Sequence, residues 1–152
     1  MSRRIDNVNI VSKTLLPTPA EVKSKLPVSS EEMTRVADFR EAVFRILEGQ
    51  DQRYIGIVGP CSIHDFEAGL AFAERLRDLA AELKDVLMLL MRVYFEKPRT
   101  SVGWKGLIND PYLDESFRIG EGLAFAREFL LKLVNLGVPA ATEALGPFVP
   151  QY

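Results

Sequence analysis

Three short apolar runs separated by two stretches of helical spacing set the tightest limit on what this chain can fold into. The runs are residues 53–60 (RYIGIVGP), 86–94 (VLMLLMRVY) and 140–143 (AATE). Each has strand length and is rich in β-forming residues or bounded by glycine and proline. Between the first two, Phe72, Leu76, Leu79 and Leu83 recur as a helical stripe, with Asp65 placed to cap its start. Between the second and third, Ile119, Leu123, Ala126, Leu130 and Leu133 do the same, and Gly137 with Pro139 stops the helix. Strand alternating with helix implies an α/β fold with a parallel sheet, and parallel sheets place their sites at the C-terminal ends of the strands. Such a sheet needs both faces covered and its edges managed. Three strands therefore predict either stabilisation by partners or the front portion of a larger protein.

Upstream, residues 1–28 carry Pro17, Pro19 and Pro27 and no sustained helical period. They read as an extension that must dock on its own domain or on another subunit. Ser29 and Glu32 have capping-box spacing, and Val36, Phe39, Val43 and Leu47 follow at helical intervals before Gly49, giving one amphipathic helix outside the main body.

The second run changes character abruptly. After its apolar half come Arg92, Tyr94, Glu96, Lys97, Arg99 and Thr100, so cationic groups collect at and beyond the strand's C-terminal edge. Pro98 and Gly103 argue for a specified loop path, and the loop runs on to about Arg118, longer than a plain connector. Because the formal net charge is -2, this cationic site is local. Uncompensated like charge beside an apolar strand calls for an anion, a carboxylate or phosphate ligand. The bland alternative is a pair of salt bridges from Arg92 and Lys97 to Glu96 or Glu143. Cys61 reads equally as a small buried hydrophobe or as a metal ligand or nucleophile. His64 reads as a residue that caps or fixes its loop more readily than as a catalytic group. Glu143 either orients water or pairs with a base. Trp104 and Phe95 read as packing groups that hold the long loop down rather than as recognition platforms, and Asn109, Asp110 and Asp114 as turn and helix-entry residues, with metal binding the lesser alternative.

Other classes are disfavoured. There is no basic tail, aromatic-basic stripe or nucleic-acid motif, so no nucleic-acid partner is expected. One cysteine excludes an intrachain disulfide framework. The N-terminus has no apolar run of signal-peptide kind, and Val86–Met91 is too short to span a bilayer. The expectation is a cytoplasmic protein with no membrane partner.

Four runs, GPCSIHD (59–65), MRVYFEKPRTSVGWKG (91–106), LINDP (107–111) and ATEAL (141–145), resemble the class I 3-deoxy-D-arabino-heptulosonate 7-phosphate (DAHP) synthases inhibited by aromatic amino acids. Their order and spacing span nearly the whole chain. The resemblance implies a TIM (β/α)₈ barrel, a fold needing about 250 residues. Residues 1–50 would be the N-terminal extension and helix with regulatory and oligomer contacts, and residues 51–152 the first part of the catalytic barrel, its first three strands. It also implies condensation of phosphoenolpyruvate with erythrose 4-phosphate and water to give DAHP and phosphate, the first step of the shikimate pathway.

Residue by residue, the resemblance gives Cys61 as ligand to a divalent metal ion (Mn2+, Fe2+, Co2+ or Zn2+), the other ligands lying on later strands. His64 matches a motif histidine that does not bind the metal. Arg92 and Lys97 match phosphoenolpyruvate-binding residues, Lys97 standing near the aldehyde, while Pro98, Arg99 and Thr100 match the erythrose 4-phosphate segment. Glu143 matches a glutamate that positions water. Asp6 and Asn7, with Pro147, Pro150 and Gln151, match the inhibitor pocket formed across subunits, which implies a homodimer or homotetramer. ATEAL followed by Gly146-Pro147 is most similar to the tyrosine-inhibited branch, with Gly146 where that branch has aspartate. The alternatives are a noncatalytic fragment or regulatory and assembly module keeping part of the anion site, and an unrelated small phosphate-binding α/β protein.

Overall fold

Tyr54–Val58 (β1), Leu87–Arg92 (β2) and Ala140–Ala141 (β3) form one parallel sheet in the order β1-β2-β3. They are seen in a computed structural model that describes residues 6–10, 13–99 and 101–152. Helices Phe66–Glu82 (α3) and Ile119–Leu136 (α4) make the crossovers, preceded by Pro19–Lys25 (α1) and Ser30–Leu47 (α2). Register pairs Val58 with Met91 and Arg92 with Ala141, so the three strands end at one rim. All three strands are shorter than the apolar runs. Beyond β2 the pairing nevertheless continues, with Val93 N donating to Ala141 O at 2.8 Å and Ile63 N to Tyr94 O at 2.9 Å.

The central strand is the apolar one, as its position demands. Met88, Leu89, Leu90 and Met91 are buried, and Val93 and Phe95 continue the core past the strand end. Phe129 of α4, fully buried, meets Phe66 and Phe95 edge-on at centroid distances of 5.3 and 5.9 Å. Burying side chains of this size contributes about 1.5–3 kcal/mol each. β1 is different: Tyr54 and Ile57 are exposed, and its outer edge has no partner strand among the described residues.

The helix ends follow their sequence signals. Asp65 accepts from Ala68 N at 2.9 Å at the start of α3, Ser29 and Glu32 form a reciprocal capping box, and Gly137 closes α4 in the left-handed conformation. The extension departs from expectation, because α1 is a helix where no helical period is visible. Thr18 and Glu21 form a second capping box, and Pro19 occupies the first turn, where its missing N–H costs nothing. The segment docks on its own chain: Arg127 Nε donates to Leu26 O at 2.8 Å and the Tyr152 hydroxyl to Pro17 O at 2.8 Å. α2 buries no residue fully and packs on α4 and β1, with Arg35 Nη1 donating to Val134 O at the C-terminal end of α4.

Candidate functional site

At the shared rim, the loop after β1 carries Cys61 and the segment after β2 carries Lys97 and Arg99. Gly59 makes the approach possible, since a Cβ there would stand 2.7 Å from Arg92 O. Lys97 Nζ donates to Cys61 O at 2.7 Å and to Cys61 Sγ at 2.9 Å. Cys61 is exposed, which corrects the reading of it as a small buried hydrophobe. The Lys97 hydrogen bond, then the Lys97 charge, hold the thiol below its usual range, with smaller help from Arg92 and Arg99 and against a small desolvation cost. The rim thus favours a thiolate.

Arg92 lies half-buried with its guanidinium carbon 4.0 Å from the centroid of the Tyr94 ring. Its Nε is buried without a hydrogen-bond partner among the described residues. No salt bridge ties Arg92 or Lys97 to Glu96 or Glu143 among those residues, so the bland ion-pair reading does not hold. Pro98 and Arg99 are exposed, and Arg99 N donates to Lys97 O at 2.7 Å across the proline. Thr100 lies outside the described residues. His64 is exposed, and Asp65 rather than His64 caps the helix that follows.

Glu143 is exposed beyond β3. With Glu96, Arg127 and Thr142 it lines a cavity of about 590 Å³ whose other walls are mainly apolar residues of α2 and α4, Phe95, Ile108 and the C-terminal turn. Burial pushes the Glu96 carboxyl upward, opposed by a hydrogen bond with Asn109. Pro150 lines the same cavity, and Gln151 Nε2 donates to Pro147 O at 3.0 Å, so Pro147, Pro150 and Gln151 form one turn. Asp6 and Asn7 are exposed, Asn7 Nδ2 donating to Asp6 at 3.2 Å; no hydrogen bond joins Asn7 to that turn among the described residues.

Trp104 and Phe95 hold the long loop down, as the sequence suggests, but the sequence does not foretell the backbone pairing that does so with them. Lys97 N donates to Lys105 O at 2.9 Å and Ile108 N to Phe95 O at 3.2 Å, folding the loop back on the strand extension. Gly106 sits at φ 106°, and a Cβ there would clash with Phe95 O and lie 2.6 Å from Glu96 Cα. Asp110 is a turn residue, as expected, but a buried one: it is 4 % exposed, and its carbonyl accepts the Trp104 indole N–H at 2.8 Å.

Among the described residues no three His, Cys, Asp or Glu side chains converge where an ion could be held. An exposed thiol drawn towards thiolate fits one ligand position of a borderline-soft divalent metal. The remaining ligands would have to come from elsewhere.

A parallel β/α sheet with a cationic loop and an exposed cysteine at its C-terminal rim defines a class: β/α proteins with their site at the strand ends. Comparison with known proteins narrows the class. The chain belongs to the DAHP synthetase I family, whose sequence model matches residues 21–152. It is 52% identical over 148 residues to the Tyr-sensitive phospho-2-dehydro-3-deoxyheptonate aldolase of Escherichia coli K12, covering 97% of this chain and 42% of that protein. It is 51% identical over 140 residues to the Phe-sensitive enzyme of the same strain, covering 92% and 40%. The solved phospho-2-dehydro-3-deoxyheptonate aldolase of Francisella tularensis SCHU S4 superposes with a TM-score of 0.89 at 40% identity, over 95% of this chain and 42% of that one. The chain thus spans well under half the length of these relatives.

Proposed function

We propose that a protein carrying this chain is a DAHP synthase, and that residues 51–152 are the first three strands of its (β/α)₈ barrel, with residues 1–50 as the regulatory extension. The observation that carries the reading is the cationic rim, Arg92, Lys97 and Arg99, beside the Cys61 thiol, with no carboxylate salt bridge to it among the described residues. Arg92 grips the phosphoenolpyruvate anion through its fork of donors, and Lys97 adds a point charge between that substrate and the aldehyde of erythrose 4-phosphate. Arg99, with Thr100, holds the phosphate of the second substrate. Holding two anions together offsets their repulsion and orients carbon 3 of phosphoenolpyruvate towards the aldehyde carbon. A carbon–carbon bond forms there, water adds at carbon 2 and C–O cleavage expels phosphate.

Cys61 would supply one ligand to a divalent metal ion, which when bound polarises the aldehyde oxygen. Glu143 orients the water. The turn at Pro147, Pro150 and Gln151, with Asp6 and Asn7 of a neighbouring subunit, forms the effector pocket; tyrosine is the proposed effector, and a homodimer or homotetramer in the cytoplasm the proposed form. The test is DAHP formation by the full-length protein with both substrates, before and after chelation and after adding back Mn2+. Metal-dependent product supports the reading; no product from folded, metal-loaded protein refutes it. The second reading, a chain that is inactive by itself, rests on the finding that no three metal-ligating side chains converge among the described residues, and predicts no turnover by residues 1–152 alone.

A further inference from the structure

Residues 97–99 and 101–118 carry no helix or strand, yet the segment must present two cations at a fixed place. Among the described residues, Asp110 is the only charged or polar one that is buried. It sits where three parts of that loop meet. Its N–H donates to Gly106 O at 2.9 Å, its carbonyl accepts from Trp104 Nε1 at 2.8 Å, and its Oδ2 accepts from Glu115 N at 3.3 Å. The first two bonds fix residues 104–106, and Lys105 O is the acceptor for Lys97 N. One residue later Gly106 presses against the Phe95–Glu96 backbone. The third bond restrains the far limb, where Leu113, Glu115 and Phe117 all adopt positive φ. Non-glycine residues persist there only when their surroundings hold them.

We propose that Asp110 is a positioning residue that, through Trp104, Gly106 and the Lys97–Lys105 pairing, sets where Lys97 and Arg99 stand relative to Cys61. The inference rests on reading that loop as the anion site. It adds a residue that touches neither substrate but without which the cations lose their place. The bonds to Trp104 and Gly106 are made by its main chain and the bond to Glu115 N by its carboxylate, so loss of the side chain frees Glu115 N and leaves a void at a buried turn, loosening the main chain that holds Trp104 and Gly106 and through them Lys97.

Cys61 is the only cysteine in the chain, so it serves as a local probe of charge. The ratio of its alkylation rates with anionic iodoacetate and neutral iodoacetamide, at one pH and relative to N-acetylcysteine, cancels the thiolate fraction and reads the neighbouring cations. Lys97→Ala is expected to lower the ratio about fivefold, the factor one unit charge at close range gives in water. Asp110→Ala is expected to lower it by a similar factor with the circular dichroism spectrum unchanged, and Asp110→Asn, which keeps an acceptor for Glu115 N, to restore it. A wild-type ratio in Asp110→Ala, or an Asp110→Asn ratio as low as that of Asp110→Ala, overturns the proposal. If Asp110→Ala does not fold, Trp104→Phe decides: it keeps the ring and removes the donor, and an undiminished ratio overturns the proposal. An undiminished ratio in Lys97→Ala would instead remove the anion-site reading beneath it.

Discussion

Lys97 Nζ lies 2.9 Å from Cys61 Sγ, bridging two residues 36 positions apart through the ends of adjacent strands. The contact exists because β1 and β2 are parallel and in register, so their following loops leave the sheet side by side. It makes the nucleophilic sulfur and the ammonium parts of one site.

The first prediction follows from that pairing. Lys97→Ala removes the hydrogen bond and charge that hold the Cys61 thiol down, so the midpoint of its pH-rate profile for iodoacetamide alkylation rises. At neutral pH less thiolate is present and alkylation slows. An unchanged profile would show that Lys97 does not stabilise the thiolate.

Gly106 yields a stability prediction. Alanine there meets the Phe95 carbonyl and must hold a positive φ, so Gly106→Ala should lower unfolding stability by about 2–4 kcal/mol. Urea denaturation measures it, and a loss of only a few tenths would mean that the loop shifts freely.

Ser29→Ala removes an acceptor for Glu32 N while leaving α2 otherwise intact. The expected loss is about 1 kcal/mol. If urea denaturation shows no change, α2 unfolds separately from the body on which Arg35 anchors it.

Glu96 sets the sign of a pH effect. Burial raises its folded-state pKa above the unfolded value, so between the two values the folded chain keeps a proton that the unfolded chain has lost. Stability contributed by this group therefore falls as pH rises through that window. Glu96→Gln should flatten the slope there, as read from melting temperature against pH; an unaltered slope contradicts the burial effect.

Much of this architecture was legible in the sequence because its signals are local. Asp65, Ser29 with Glu32, and Gly137 each announce a helix end through their own side chain or backbone, and the structure uses them so. The Thr18-x-x-Glu21 box is equally local, but it precedes a helix of 7 residues, too short for any apolar period to develop. The cationic rim was visible as composition. What pairs with it was not, because the Lys97–Cys61 contact depends on strand register. The burial of Asp110 escaped for the same reason: Trp104 and Gly106 bond to its main chain, and nothing in Asn-Asp-Pro distinguishes a buried turn from a solvated one.

The most direct test of the central claim is calorimetric binding of phosphoenolpyruvate to the full-length, metal-loaded protein and its Arg92→Ala variant. A charge-assisted, bidentate contact predicts that the variant binds at least about tenfold more weakly at equal metal content and equal melting temperature. Equal affinity in the two proteins would mean that the rim at Arg92 is not where this anion sits.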